Sequence, residues 1–317
     1  MTDPNPHLAF VFPGQGSQAT GMLDNLAQHY PEIKETFAHA SEVLKKDLWA
    51  LISNEFYVQE LNQTQNTQPI LLAASVAIWN IWCKQSTTRP AWMAGHSLGE
   101  YSAMVCADSL KFEDAIKLVS LRGQLMQQAV PEGLGAMAAI LGLEDDQVIA
   151  LCHQVADNDV VSAVNFNAPG QVVIAGHSDA VKRAMDASKT AGAKRAVLLP
   201  VSVPSHCALM QSAAEKLAEA LESISLSEPT VCLIHNVDAQ SHPSPSSIRI
   251  ALTEQLYKPV RWVDSIVSMT HQGVTKFVEC GAGKVLVGLN KRIAKEAEHL
   301  SLYDTETFNH LMEQFNG

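Results

Sequence analysis

The segment Gly95-His96-Ser97-Leu98-Gly99 lies between a short apolar stretch, Ala91 to Ala94, and a stretch with apolar residues at helical spacing, Leu98 to Ala107. This order predicts a buried strand, a tight turn that carries Ser97, and a helix. Glycines on both sides let the backbone turn sharply without a Cβ clash, and the new helix directs free N–H groups toward the hydroxyl. The pattern indicates a nucleophilic serine for acyl transfer; the alternative is a serine in an ordinary glycine-rich turn.

Strands and helices alternate on both sides of this turn. Leu8 to Phe12 is predicted as a strand, and helices are expected between about Gly21 and Ile52. A polar connector, residues 62–68, precedes an apolar helix that Pro69 opens and that runs through Cys83. A further helix is predicted from Glu113 to Gln128. The order β, α, α, β, α predicts a parallel sheet covered by helices.

Between residues 130 and 201 the predicted elements become shorter. Their order is β-α-β-β-α-β, the ferredoxin-like pattern. We therefore predict an α/β protein with a large, discontinuous domain, residues 1–129 and 202–317, and an inserted small domain, residues 130–201. The small-domain elements are predicted at residues 135–141, 144–155, 160–165, 171–175, 178–191 and 196–199. In the second part of the large domain, the last predicted strand is Lys276 to Glu279 and the last predicted helix begins at Leu286.

The composition is that of an ordinary globular protein. The chain has 317 residues, of which 47% are hydrophobic and 17% are charged, enough for a large core. Its net charge of −11 argues against binding to nucleic acid or to anionic membranes. We see no membrane span, no signal peptide and no C-x-x-C pair among the six cysteines, and we expect a cytoplasmic protein with reduced thiols. The histidines lack metal-ligand spacing, so no metal site is predicted.

A serine hydroxyl needs a base within hydrogen-bond reach. His96 adjoins Ser97, but consecutive residues on a sharp turn diverge, so its ring is expected to point away. His206 follows the predicted insertion in a turn that can face the cleft between domains, and His235 ends a strand. We favour His206 as the base, with His235 or another histidine as the alternatives, because spatial proximity cannot be read from this pattern.

Arg122 lies on the apolar stripe of its predicted helix, four residues after Leu118 and three before Leu125. A guanidinium on a core-facing stripe needs an anion, because an unpaired buried charge costs several kcal/mol. Arg122 therefore indicates a bidentate site for a substrate carboxylate. The alternative is an arginine whose stem packs while its charged end reaches water or an internal carboxylate.

Gln15 lies between Gly14 and Gly16, directly after the first predicted strand, where glycines free backbone N–H groups to face a ligand. The same segment formally matches a dinucleotide-binding fingerprint. Pro13 interrupts that turn, however, and a helical stretch, residues 34–51, replaces the required second strand. Nucleotide binding is therefore not expected.

Four separated motifs in this order make the chain resemble the malonyl-CoA:acyl carrier protein transacylases of bacterial type II fatty acid synthesis. The motifs are Phe12 to Gln18, Gly95 to Glu100, Leu121 to Gly123 and Pro204 to His206, and the resemblance continues through Asn165 to Gly170 and Pro259 to Trp262. The resemblance implies an α/β-hydrolase-like large domain with a ferredoxin-like small one, as the pattern also predicts. It implies transfer of a malonyl group from malonyl-CoA to the phosphopantetheine thiol of acyl carrier protein, without a cofactor.

The resemblance also implies a role for particular residues. Ser97 becomes malonylated, His206 is the general base and acid, and Arg122 binds the free malonyl carboxylate. The backbone carbonyl of Gln255 orients His206. The other implied positions are the backbone N–H groups of Gln15 and Leu98, which form the oxyanion hole, and Gln68 and Asn167, which line the cleft.

Two alternative functions share the same serine and base. A serine thioesterase or hydrolase has no general use for a cation in the acyl pocket, and a broader acyltransferase also accepts methylmalonyl groups. A further hypothesis concerns the partner: an acidic carrier protein is expected to dock on a basic stretch made of Lys284, Lys291, Arg292 and Lys295.

Overall fold

The computed structural model of the chain describes residues 3–201 and 203–316. In this part of the chain the strands form two separate sheets. The strands are β1 (Asn5–Phe12), β2 (Pro90–Gly95), β3 (Gly135–Leu141), β4 (Val161–Ala168), β5 (Gln171–His177), β6 (Arg195–Leu198), β7 (Cys232–Ile234), β8 (Lys276–Cys280) and β9 (Glu298–Leu302).

Helices cover both faces of the first sheet and one face of the second. They are α1 (Asp24–His29), α2 (Glu32–Leu44), α3 (Leu48–Ser53), α4 (Val58–Leu61), α5 (Thr64–Gln85), α6 (Gly99–Cys106), α7 (Phe112–Ala129), α8 (Asp145–Val155), α9 (Ser178–Thr190), α10 (Gln211–Glu222), α11 (Pro245–Gln255), α12 (Trp262–His271), α13 (Val285–Ile293) and α14 (Thr305–Asn316). Short 3₁₀ turns, Glu55–Tyr57 and Ala208–Met210, precede α4 and α10.

The first sheet is parallel and has the order β7-β2-β1-β8-β9. Its central strand, β1, is apolar on both faces because both are buried. Phe10 and Phe12 pack into the core on one side, and Ala9 and Val11 pack into the core on the other. The predicted parallel sheet between helix layers is confirmed.

The second sheet is antiparallel and has the order β4-β5-β3-β6. With α8 and α9 it makes the ferredoxin-like arrangement, so this prediction is also confirmed. Its core joins Ile140 and Ile174 of the sheet to Val148 and Val181 of the two helices. The four strands lie inside residues 130–201, and those domain limits themselves stay a prediction.

Helix α5 and the C-terminal elements differ from the sequence prediction. Helix α5 begins at Thr64, so the polar stretch 62–68 is mostly helical and Pro69 lies inside the helix. The polar side chains there are satisfied internally: Thr67 Oγ1 donates to the Leu61 carbonyl, and Asn66 Nδ2 donates to the Glu60 carbonyl. The C-terminal pair β9 and α14 was not predicted. Among the described residues, no helix is long and apolar enough to cross a membrane.

Candidate active site

Ser97 sits on the turn between β2 and α6 with a left-handed backbone, φ 52°. The packing around the turn leaves no space for a side chain at either flanking glycine. A Cβ on Gly95 would lie 1.9 Å from the Gly99 backbone, and a Cβ on Gly99 would lie 2.0 Å from the Phe12 carbonyl oxygen. The strand, turn and helix are therefore packed too closely for any side chain at these two positions, which holds the serine at the end of the sheet.

Of the three candidate histidines, His206 is the one that reaches the serine. His206 Nε2 lies 2.8 Å from Ser97 Oγ, although 109 residues separate them in sequence. The other ring nitrogen, Nδ1, lies 2.7 Å from the Gln255 carbonyl oxygen, which only accepts, so Nδ1 carries the proton and Nε2 accepts from the hydroxyl. His96 instead bonds Asn167 Oδ1 at 2.8 Å, and His235 bonds Glu100 at 2.7 Å.

His206 is neutral in this environment. Burial, and after it the positive charge of Arg122, lower the pKa of the imidazole from 6.5 to about 3, while the bond to the Gln255 carbonyl offsets part of this and His96 adds a small further lowering. At pH 7 Nε2 is therefore unprotonated and can take the proton of a hydroxyl.

Arg122 projects from α7 toward the Ser97 hydroxyl and is 1% exposed. Its Nη2 donates to Ser97 Oγ at 3.2 Å and to Gln255 Oε1 at 3.0 Å, and its Nη1 donates to Gln68 Oε1 at 2.9 Å. The guanidinium also lies over the Tyr101 ring, with its central carbon 5.5 Å from the ring centroid. Its partners are thus neutral acceptors and a ring face, so the charge stays available to an anion.

A cavity of about 120 Å³ opens beside Ser97 Oγ, and Gln15, Leu98 and Gln68 line it. Within the described part of the chain, the backbone N–H groups of Gln15 and Leu98 donate no hydrogen bond. Asn167 is not a lining residue of this cavity; it hydrogen-bonds to His96, which lines it. The other lining residues are Thr64, Arg122, Met126, Met137, Asn165, Leu199, Val201, Val203, Ser205 and His206.

The sequence model of the acyl transferase domain matches residues 9–305. The chain belongs to the acyl transferase domain family. It is 57% identical over 285 residues to the malonyl CoA-acyl carrier protein transacylase of Escherichia coli strain K12, covering 90% of this chain and 92% of that protein. The transacylase of the same name from Bacillus subtilis is 44% identical over 301 residues, with 95% and 94% covered. The resemblance drawn from the four motifs is confirmed.

Solved structures of acyl transferases share the fold. A crystal structure of an acyl carrier protein S-malonyltransferase from Vibrio cholerae superimposes with a TM-score of 0.94 at 56% identity, over 96% of this chain and 99% of that one. A malonyl-transacylase in complex with a type II polyketide synthase acyl-carrier protein gives a TM-score of 0.96 at 53% identity, over 97% and 99%.

Sequence reasoning missed the polar residues behind the Ser97 turn in this acyl transferase domain. Glu100 is fully buried one helical turn after Ser97, and Asn236 Oδ1 accepts from the Ser97 backbone N–H at 2.7 Å. An acidic residue in the otherwise apolar start of α6 was a signal that could have pointed to Glu100. The basic residues Lys284, Lys291, Arg292 and Lys295 are exposed in and beside α13.

Proposed function

We propose that this chain transfers the malonyl group of malonyl-CoA to the phosphopantetheine thiol of an acyl carrier protein, through a malonyl ester on Ser97. One observation carries the proposal: His206 Nε2 and Arg122 Nη2 lie 2.8 and 3.2 Å from the same oxygen, Ser97 Oγ. A hydroxyl beside a neutral base supports acyl transfer through a covalent intermediate. A buried cation beside that hydroxyl supports an acyl group with a free carboxylate. The names of the two relatives give the same reaction.

In the first step, Ser97 Oγ attacks the thioester carbonyl carbon of malonyl-CoA, and the hydroxyl proton passes to His206 Nε2. The Gln255 carbonyl keeps the second ring proton on Nδ1 and stabilises the imidazolium that forms. The carbon–sulfur bond then breaks, and His206 returns its proton to the CoA thiolate. The products are CoA and malonyl-Ser97.

The second step runs the same chemistry with another thiol. His206 takes the proton of the phosphopantetheine thiol as its sulfur attacks the malonyl-Ser97 carbonyl carbon. The ester bond breaks, and His206 protonates the Ser97 oxygen that leaves. No cofactor enters either step, since each needs only a nucleophile, one proton carrier and donors for the oxyanion.

The negative oxygen of each tetrahedral intermediate needs hydrogen-bond donors. We assign this role to the backbone N–H groups of Gln15 and Leu98, because both residues line the cavity and these groups donate to no other described residue. Each such donor is worth about 3 kcal/mol of barrier. Gln68 supports the site differently, because its Oε1 accepts from Arg122 and thereby fixes the guanidinium plane.

The size and charge of the cavity support a small acidic acyl group. A cavity of about 120 Å³ fits a short acyl group. Pairing Arg122 with the malonyl carboxylate favours malonyl over acetyl by about 1.5–3 kcal/mol, the usual strength of a hydrogen bond to a charged group. We further propose a cytoplasmic location, which the six free cysteines support.

Intact-protein mass spectrometry tests the covalent intermediate. Incubation with malonyl-CoA is expected to add one malonyl group to the wild-type protein, and addition of a phosphopantetheinylated carrier protein is expected to remove it. Ser97→Ala is expected to give no adduct, while Ser102→Ala, three residues into α6 and outside the site, is the matched control and keeps it. A malonyl group found on another residue would reject Ser97 as the nucleophile.

The same preparation separates the two alternative activities. A transferase holds the malonyl ester in water and releases it to a thiol, whereas a hydrolase or thioesterase releases malonate without one. Methylmalonyl-CoA in place of malonyl-CoA measures the tolerance for a branched acyl group, which the side chains of Met126, Met137 and Val203 limit.

A further inference from the structure

Glu100 is a fully buried carboxylate that takes no part in the chemistry described above. Its Oε1 accepts from His235 Nδ1 at 2.7 Å. Its Oε2 accepts from the Asn236 backbone N–H at 3.0 Å and from Gln255 Nε2 at 2.8 Å. A buried carboxylate is costly unless it is fully bonded, so these three donors explain how the fold tolerates it. They do not yet explain why it is there.

The contact with Gln255 has a consequence at Arg122. Gln255 Nε2 donates both to Glu100 Oε2 and to the Ser97 carbonyl oxygen, the latter at 3.0 Å. With the NH₂ end of the amide fixed by two acceptors, the oxygen end must face the other way, where Oε1 accepts from Arg122 Nη2. Glu100 thus determines which end of the Gln255 amide meets the guanidinium.

The contact with Asn236 has a consequence at Ser97. Asn236 Oδ1 accepts from the Ser97 N–H, and its Nδ2 donates to the Gly95 carbonyl at 2.7 Å. The Asn236 main chain is held by Glu100 through its N–H group. In the strained turn, with φ 52° at Ser97, the Asn236 side chain therefore bonds the Ser97 N–H and the Gln255 side chain bonds the Ser97 carbonyl. Glu100 holds Asn236 by its main chain and Gln255 by its side chain.

We propose that Glu100 is a positioning residue that orients the Gln255 amide and, through it, the Arg122 guanidinium, so that the site selects malonyl over uncharged acyl groups. This inference rests on the proposed function. Glu100 acts by its position as an acceptor: among the described residues, no carboxylate forms an ion pair with Arg122. Gln255 stands between the two charges, so the anion holds the cation in place without occupying the face that the substrate carboxylate needs.

The acceptor role makes different predictions for two substitutions. Glu100→Leu removes every acceptor, so the Gln255 amide loses its fixed orientation. Glu100→Gln keeps one oxygen for Gln255 and Asn236, and its NH₂ group can face His235 if that ring moves its proton to Nε2, which has no partner in the described structure. ¹⁵N NMR of His235 reports this change of tautomer directly.

The test measures kcat/KM for malonyl-CoA and for acetyl-CoA. We expect Glu100→Leu to lower the malonyl-to-acetyl ratio about tenfold, and Glu100→Gln to keep it within about threefold of wild type. Ser102→Ala is the matched control, because this buried hydroxyl on the same helix has no partner in the described structure. Equal losses in both Glu100 variants, or an unchanged ratio in Glu100→Leu, would overturn the proposal.

A double-mutant cycle separates positioning from general damage. In an Arg122→Ala background, Glu100→Leu is expected to leave the ratio unchanged, since its effect passes through Arg122. A further tenfold loss in that background contradicts the proposal.

If Glu100→Leu does not fold, Gln255→Met removes the connecting amide alone and is expected to lower the malonyl-to-acetyl ratio similarly. An unchanged ratio in Gln255→Met overturns the inference. Absence of malonyl transfer by the wild-type protein would instead refute the proposed function.

Discussion

The positive charge of Arg122 lowers the pKa of the neighbouring His206, and removing that charge should raise this pKa measurably. Two hydrogen bonds to Ser97 Oγ, of 3.2 and 2.8 Å, bring Arg122 Nη2 within about 6 Å of His206 Nε2. At an effective dielectric constant near 20, two like charges at that distance repel by about 3 kcal/mol, or about two pH units. Arg122→Met removes this repulsion and keeps most of the side-chain length.

The direction of the pH dependence follows from the neutral state of His206. As the proposed general base, His206 would act in its unprotonated form, so the rate is expected to fall as the pH drops through its pKa. In the wild type that pKa is about 3, and kcat/KM for acetyl-CoA should stay level down to pH 5. In Arg122→Met we expect the pKa to rise by about two units, because burial and His96 still lower it while the guanidinium no longer does. The rate should then be half lost near pH 5.

Acetyl-CoA is the right substrate for this assay, because its binding does not depend on the guanidinium. The matched control is Lys117→Met, an exposed lysine on the same helix, for which no change in the pH profile is expected. Circular dichroism at each pH verifies that the protein remains folded. An acidic limb at the same pH in Arg122→Met and the wild type would refute the electrostatic coupling of Arg122 to His206.

Two further experiments test the Ser97 turn and the basic stretch in and beside α13. Gly99→Ala brings a Cβ to 2.0 Å from the Phe12 carbonyl oxygen, so we expect a large fall in the thermal midpoint of unfolding. Gly288→Ala, in α13, has open space around the new Cβ and is expected to stabilise the protein by up to about 1 kcal/mol. Combined Lys291→Glu and Lys295→Glu should raise KM for an acidic carrier protein roughly tenfold without changing the rate of malonyl-Ser97 formation from malonyl-CoA. An unchanged KM would place the carrier elsewhere.

Local chemistry explains which parts of this fold were predictable. The turn at Ser97 is visible in sequence because two tight backbone contacts require glycine at fixed spacing, and β3 to β6 are visible because their alternation and turn residues are local. The start of α5 was not predictable, because Asn66 and Thr67 are polar but buried. Their side chains hydrogen-bond to main-chain carbonyl groups, which a hydrophobic pattern does not reveal.

The site was predictable in a similar way. Arg122 was marked by its place on an apolar stripe, since a buried charge breaks a local rule. The contact of His206 with Ser97 spans 109 residues of sequence. The sequence pattern therefore favoured His206 but left His235 and other histidines open, and the family resemblance then implied His206. Glu100 went unnoticed because its three donors come from distant segments, and each donor taken alone is an ordinary residue.

The order of strands in the first sheet has a consequence for how the chain folds during synthesis. The central strand β1 needs β8 as a neighbour, and about 180 residues separate the end of β2 from the start of β8. At usual translation speeds the ribosome takes roughly 10 to 40 s to cover that interval. During this time the second sheet, which is contiguous in sequence, can form. One edge of the apolar strand β1 stays unpaired until β8 has been synthesised. This edge is where we expect molecular chaperones to bind the nascent chain.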